Sequence, residues 1–142
     1  MECSVKDLSK ARFDQAIEML EASRLNLEIG QIKTSINRSY YAIFHAIRAV
    51  NALDEFDSSK HTGVIGHFNQ AYIKTKRLDV KNSDVIKRAY YLREKSDYDD
   101  FYIASREDAH KQLEEATLFV KEIEEYLIGR KVLQMEGHNS PV

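Results

Sequence analysis

The sequence predicts an all-α bundle of five helices, and three observations carry that prediction. Apolar residues recur at steps of three and four along most of the chain, the spacing of one helix face. The single proline among 142 residues, Pro141, stands at the far end, so nothing in the body obliges a helix to break. No segment makes a credible strand, and a composition of 43% hydrophobic and 31% charged residues fits a compact, strongly helical domain.

The first helix is expected from Val5 to Ile29, with Leu8, Phe13, Ala16, Ile17, Leu20 and Leu27 on one face and Gly30 placed to end it. A second is expected from about Ile32 to Leu53, with Thr34 or Ser35 as candidate caps. Asp54 to Lys60 reads as a polar loop. Val64, Ile65, Phe68, Ala71 and Tyr72 mark a shorter third helix ending near Lys74, and Leu78 is placed to plug the turn that follows. Asn82 or Ser83 can cap a fourth helix that turns Val85, Ile86, Ala89 and Leu92 inward and runs to about Ser96.

Asp97 to Ala104 breaks the pattern and reads as an ordered loop. Ser105, followed by Asp108 in place of the preferred Glu, has the spacing of a capping box. The last helix is the clearest, because Ala109, Leu113, Ala116, Val120, Ile123 and Leu127 alternate steps of four and three. Residues 1–136 are expected to form one domain and 137–142 a loose tail.

Net charge is only −2, which makes no case for bulk attraction to nucleic acid, so any anion site must be local. One cysteine, Cys3, excludes a disulfide framework. His67, His110 and His138 show no zinc spacing, and no metal or cofactor is expected. Without a secretory signal or an apolar run of about 18 residues, a cytoplasmic protein that does not enter the membrane is expected.

The segment from Asn37 to Ala46 is the most informative. At helical spacing Arg38, Tyr41, His45 and Arg48 share one stripe, beside a second stripe of Tyr40, Ile43, Ile47 and Val50. As chemistry, the imidazole of His45 can move a proton near neutral pH and the guanidinium of Arg38 can steady phosphate charge. As structure, His45 is a packed helix residue and Arg38 pairs with a neighbouring acid. The two lie seven residues apart, roughly 10 Å, so they would act on different atoms of one ligand.

Two further clusters accompany it. In Tyr90 to Phe101, Arg93 and Asp97 form an i,i+4 pair, Tyr98 and Phe101 can pack back onto the bundle, and Asp97 can hold Arg38 or Arg93. Its acidic run lacks the glycine and distal glutamate of a calcium loop. In Ser59 to Gly63, ahead of the third helix, Lys60 and His61 offer a phosphate contact, while Ser59 as an ordinary cap is the plainer reading.

Arg38-Ser39-Tyr40-Tyr41-Ala42-Ile43-Phe44-His45-Ala46, Ser59-Lys60-His61-Thr62-Gly63-Val64 and Leu92-Arg93-Glu94-Lys95-Ser96-Asp97-Tyr98-Asp99 resemble, in this order, the small stand-alone HEPN proteins of bacteria and archaea, over roughly residues 5–128. The resemblance implies a helical bundle that dimerises and is often encoded beside a minimal nucleotidyltransferase in toxin–antitoxin-like pairs. It also implies, for many members, a metal-independent ribonuclease with an R-x4-6-H signature near the end of the penultimate long helix. Arg93 stands at that place, but five residues on is Tyr98 and no histidine follows nearby. Arg38 and His45 satisfy an R-x6-H count on the second helix instead.

Three functions follow as expectations. The leading one is a homodimeric nucleotide- or RNA-binding partner of a nucleotidyltransferase, with Arg38, Tyr41, His45 and Arg93 lining a groove and Lys60 and His61 at its rim. The second is a metal-independent ribonuclease toxin, with His45 as general acid or base and Arg38 or Arg93 stabilising the transition state. The third is a structural dimer in which Tyr40, Tyr41 and His45 are interface residues.

Overall fold

The computed structural model describes residues 4–135, an all-α bundle. Cys3, His138, Pro141 and the tail expected for 137–142 lie outside the described residues. The helices are α1 (Val5–Glu28), α2 (Ile32–Asn51), α3 (His61–Phe68), α4 (Asn82–Tyr98) and α5 (Arg106–Gly129), with a 3-10 turn at Ala52–Asp54 and a π-helical turn at Asn69–Ile73.

The central rod is α2, which packs along α1, α3, α4 and α5. Its sequence explains why: Ile36, Tyr40, Ile43, Ile47 and Val50 are buried on one side, and Ala42, Ala46 and Ala49 let neighbouring backbones come close. Antiparallel pairing with α1 is fixed by buried serines. Ser9 Oγ donates to the Ala49 carbonyl at 2.7 Å near one end, and Ser23 Oγ meets Ser39 Oγ at 2.7 Å and donates to the Ser35 carbonyl at 2.8 Å near the other. Each hydroxyl satisfies its neighbours away from water, so these polar contacts cost the interface little. Phe13, Phe68, Tyr72, Phe119, Ile123 and Leu127 fill the core around α2 from the other elements, and Leu78 is buried where the turn was expected to be plugged.

Several boundaries differ from expectation, each for a local reason. At the start of α1, Ser4 and Asp7 form a full capping box that the pattern of apolar residues had not marked. Gln31, not Thr34 or Ser35, precedes α2; those two lie inside the helix, and Ser35 is spent on Ser23. Gly30 adopts φ +80°, the left-handed conformation that closes α1, as expected. The third helix starts at His61 rather than Val64, with Lys60 before it in place of Ser59. Ser58 Oγ accepts the Lys60 N–H at 3.2 Å instead.

At α4 the preceding residue is Lys81, and Asn82, the first helical residue, turns its amide onto Glu122 of α5. Ser105 caps α5 by accepting the Asp108 N–H at 3.0 Å, while the Asp108 carboxylate accepts from Tyr102 rather than closing a box. Phe101, expected to pack back, is 95% exposed, because α4 runs on to Tyr98 and the following loop carries Phe101 and Ile103 outward.

Candidate nucleic-acid interface

The α2 stripe is placed as its spacing requires. Arg38, Tyr41, His45 and Arg48 are all half-buried, while Tyr40, Ile43, Ile47 and Val50 beside them are buried. Over the middle of this stripe close the start of α3, which brings His61, and the end of α4, which brings Arg93 and Tyr98.

An aromatic box results. The His61 ring stacks on Phe44 with centroids 4.2 Å apart and lies 5.8 Å from both Tyr40 and Tyr41. Its Nδ1 shares a 2.8 Å hydrogen bond with the Tyr40 hydroxyl. The Arg93 guanidinium sits 5.4 Å over Tyr40, 5.6 Å over Tyr41 and 5.7 Å over Tyr98, and donates to the Tyr41 hydroxyl at 3.3 Å. Two carboxylates hold it: Glu94 accepts from it at 3.0 Å, and Asp97 stands 3.0 Å from Nε as an ion pair without hydrogen-bond geometry.

The Arg93–Asp97 pair read from the sequence is therefore present, and Asp97 takes Asn37 at 3.2 Å rather than Arg38. With only 13% of its side chain exposed, Arg93 is clasped by its own fold.

Next to this box lies a basic cluster that residue spacing does not reveal. Arg12 of α1 and Arg48 of α2 share one carboxylate, Asp57, at 3.2 and 3.1 Å, and Arg12 also donates to the Arg48 carbonyl at 3.3 Å. Two guanidiniums against one carboxylate leave an excess of positive charge. Asp57 falls in the polar stretch from Asp54 to Lys60 and Arg12 lies one step from the core residue Phe13, so no local signal marks either. Hydrogen bonds from Arg48 and the Ser58 N–H outweigh burial and hold the Asp57 carboxyl below its usual range.

His45 sits between box and cluster, with ring centroids 6.0 Å from both Tyr41 and Phe44. Its Nδ1 is buried and has no hydrogen-bond partner among the described residues. Burial first, then Arg48, Arg12 and His61, push its pKa down from 6.5 to about 4. His61 is lowered too, by burial and then Arg93, with Glu94 opposing. Both rings are thus neutral at pH 7 and surrounded by fixed positive charge.

Burial raises the Tyr40 phenol, so it stays protonated beside His61. Tyr41, His45, His61 and Arg93 are accordingly brought together. Arg38 shares their stripe but makes no hydrogen bond or ion pair among the described residues, and neither does the Lys60 side chain.

Gly63, in the first turn of α3, lets the 55–60 loop lie close: an added Cβ would stand 2.6 Å from Ser58 Oγ. No group of three His, Cys, Asp or Glu side chains among the described residues could hold a metal ion. No helix among them is long and apolar enough to cross a membrane.

Comparison with known proteins bears on this site. The HEPN domain model matches residues 9–126. A Methanocaldococcus jannaschii protein named "Putative toxin MJ0142" is 30% identical over 140 residues, 99% of this chain and 95% of that protein. A second from the same organism, "Putative toxin MJ0605", is 28% identical over 87% of this chain and 91% of its own length. A "UPF0332 protein" from Thermotoga maritima is 26% identical, spanning 80% of this chain and 86% of that protein.

Proposed function

Because the chain belongs to the HEPN domain family, we propose that it is a nucleotide- or RNA-binding member. In this reading it works as a homodimer beside a minimal nucleotidyltransferase in a toxin–antitoxin-type module. The observation that carries the binding role is the electrostatics around His45. Arg12, Arg48 and a neutral imidazole meet at a half-buried face whose only carboxylate there, among the described residues, is shared.

A phosphate at this face gives Arg48 a second partner and takes a proton-bearing imidazole as donor, which converts an electrostatic cost into an attraction. Tyr41 at the edge of the box supplies a ring against which a base can stack. Arg93 acts through position: it holds Tyr41 and Tyr98 in place.

The toxin–antitoxin role draws support from the names of the Methanocaldococcus jannaschii relatives. The dimer draws support from Phe101 and Ile103, 95% and 88% exposed in the single chain, which a second copy would cover.

The test is fluorescence anisotropy with a labelled single-stranded trinucleotide of RNA. Arg48→Gln should weaken binding about 10-fold or more, in keeping with ~1.5–3 kcal/mol for a charged hydrogen bond. Equal affinity of variant and wild type rejects the face as the phosphate site. Copurification with a minimal nucleotidyltransferase encoded beside it, and loss of dimer on Phe101→Asp in sedimentation, check the partner and the assembly.

One observation favours a second reading, a metal-independent ribonuclease. His45 is neutral at pH 7 beside Arg48, the state in which an imidazole accepts a proton from a 2′-hydroxyl, and since its Nδ1 is buried the other ring nitrogen would have to take it. RNA cleavage in EDTA that disappears in His45→Ala would favour this reading; intact RNA with the folded wild type rejects it.

A further inference from the structure

The C-terminal ends of the π-helical turn and of α5 meet at Tyr72 and Tyr126. Arg77 lies 5.6 Å over the Tyr72 ring, and Tyr72 and Tyr126 stand edge to face with centroids 5.7 Å apart. Arg130 lies 5.7 Å over Tyr126, donates to its hydroxyl at 2.7 Å and interacts with the Tyr72 hydroxyl. Two tyrosines thereby fix two guanidiniums side by side, and Lys74, Lys76 and Lys131 flank them in the chain. None of these five cations makes an ion pair with a carboxylate among the described residues.

Helix ends and a neighbouring carboxylate offset part of this charge. A helix C-terminus carries about half a negative charge, so two of them account for roughly one of the five cations. Asp54, which accepts from Tyr72 at 2.8 Å and pairs with His67 at 2.9 Å, offsets one more.

Backbone conformation adds an independent sign. Lys76 and Lys131 both adopt φ 62°, the left-handed position after a helix end that glycine fills without strain. Two strained positions thus carry a cation each. The exposed residues at 74–77 and 129–131 are all Lys, Arg, Thr or Gly, so charge dominates the surface these segments present.

We propose that this arginine-on-tyrosine patch is a second binding site, for the phosphate backbone of single-stranded RNA, and that it engages strands longer than the first face can hold. The length argument rests on the RNA-binding reading of that face. Eleven residue steps of nearly continuous helix lead from His61, whose ring lies 5.8 Å from the stacking ring of Tyr41, to Tyr72, about 16 Å along the axis. That is roughly five nucleotide steps at ~3.4 Å each, so a trinucleotide reaches one site and a 12-mer has the length for both.

The experiment uses the full chain and the variant Lys76→Gly with Lys131→Gly, which removes two charges at positions where glycine relaxes the backbone. Anisotropy with labelled RNA 12-mer and trinucleotide is measured across a salt series. For the 12-mer, the slope of log affinity against log salt should become shallower by about 1.4, two phosphate contacts at ~0.7 each, with trinucleotide binding unchanged. An unchanged 12-mer slope overturns the patch, including where an acidic protein proves to be its partner. A 12-mer that responds to the double glycine variant but not to Arg48→Gln keeps the patch and rejects the first face. A wild type that binds neither RNA overturns both.

Discussion

Acidification should destabilise this protein through His45 in a way that one substitution isolates. The imidazole's pKa falls from 6.5 to about 4 on folding, because burial and then Arg48, Arg12 and His61 oppose its charge. Between those values the unfolded chain binds a proton that the folded chain refuses, so stability is complete above pH 6.5 and is lost as pH drops toward 4. At about 1.4 kcal/mol per pH unit the full interval corresponds to ~3 kcal/mol, and solvent screening at a half-buried ring reduces this to about 1–2 kcal/mol. His45→Gln keeps a polar side chain of similar length that does not titrate. Urea unfolding of both proteins at pH 7.5 and pH 4.5 gives the comparison. The wild type should lose about 1–2 kcal/mol more than the variant over this interval. Equal losses would refute the claim that guanidinium charge and burial hold the ring neutral.

Other consequences are simpler to state. Ser23→Ala strips the Ser35 carbonyl and the Ser39 hydroxyl of a buried partner and should cost about 1–3 kcal/mol in urea unfolding. Gly30→Ala meets only Arg106 at 3.8 Å, yet φ +80° makes it unfavourable, by about 1 kcal/mol in the same assay. Asp57→Asn releases Arg12 and Arg48 from their shared carboxylate; trinucleotide affinity should rise several-fold while stability falls by about 1 kcal/mol.

Much of the architecture was legible because it is periodic. The inward residues of α1, α2 and α5 repeat at helical steps, and the half-buried stripe of Arg38, Tyr41, His45 and Arg48 followed from spacing alone. Helix starts were less legible, since a residue such as Ser35 reads equally as a cap or as a buried partner for Ser23, and only the packing of α1 on α2 decides. Of the site, the Arg93–Asp97 pair was readable as a local i,i+4 contact. The Tyr40–His61 bond and the Arg12–Asp57–Arg48 cluster were not, because they join residues 21 and 45 positions apart across separate elements. Arg38, singled out for its type and place, has no counterpart among the described residues that draws it into the cluster.

Histidine NMR tests the central claim most directly. The His45 imidazole is titrated in the free protein and with saturating RNA trinucleotide. A phosphate seated beside Arg48 should raise the His45 pKa from about 4 toward or above its ordinary 6.5. Bound RNA that leaves the His45 titration where it was would contradict the account.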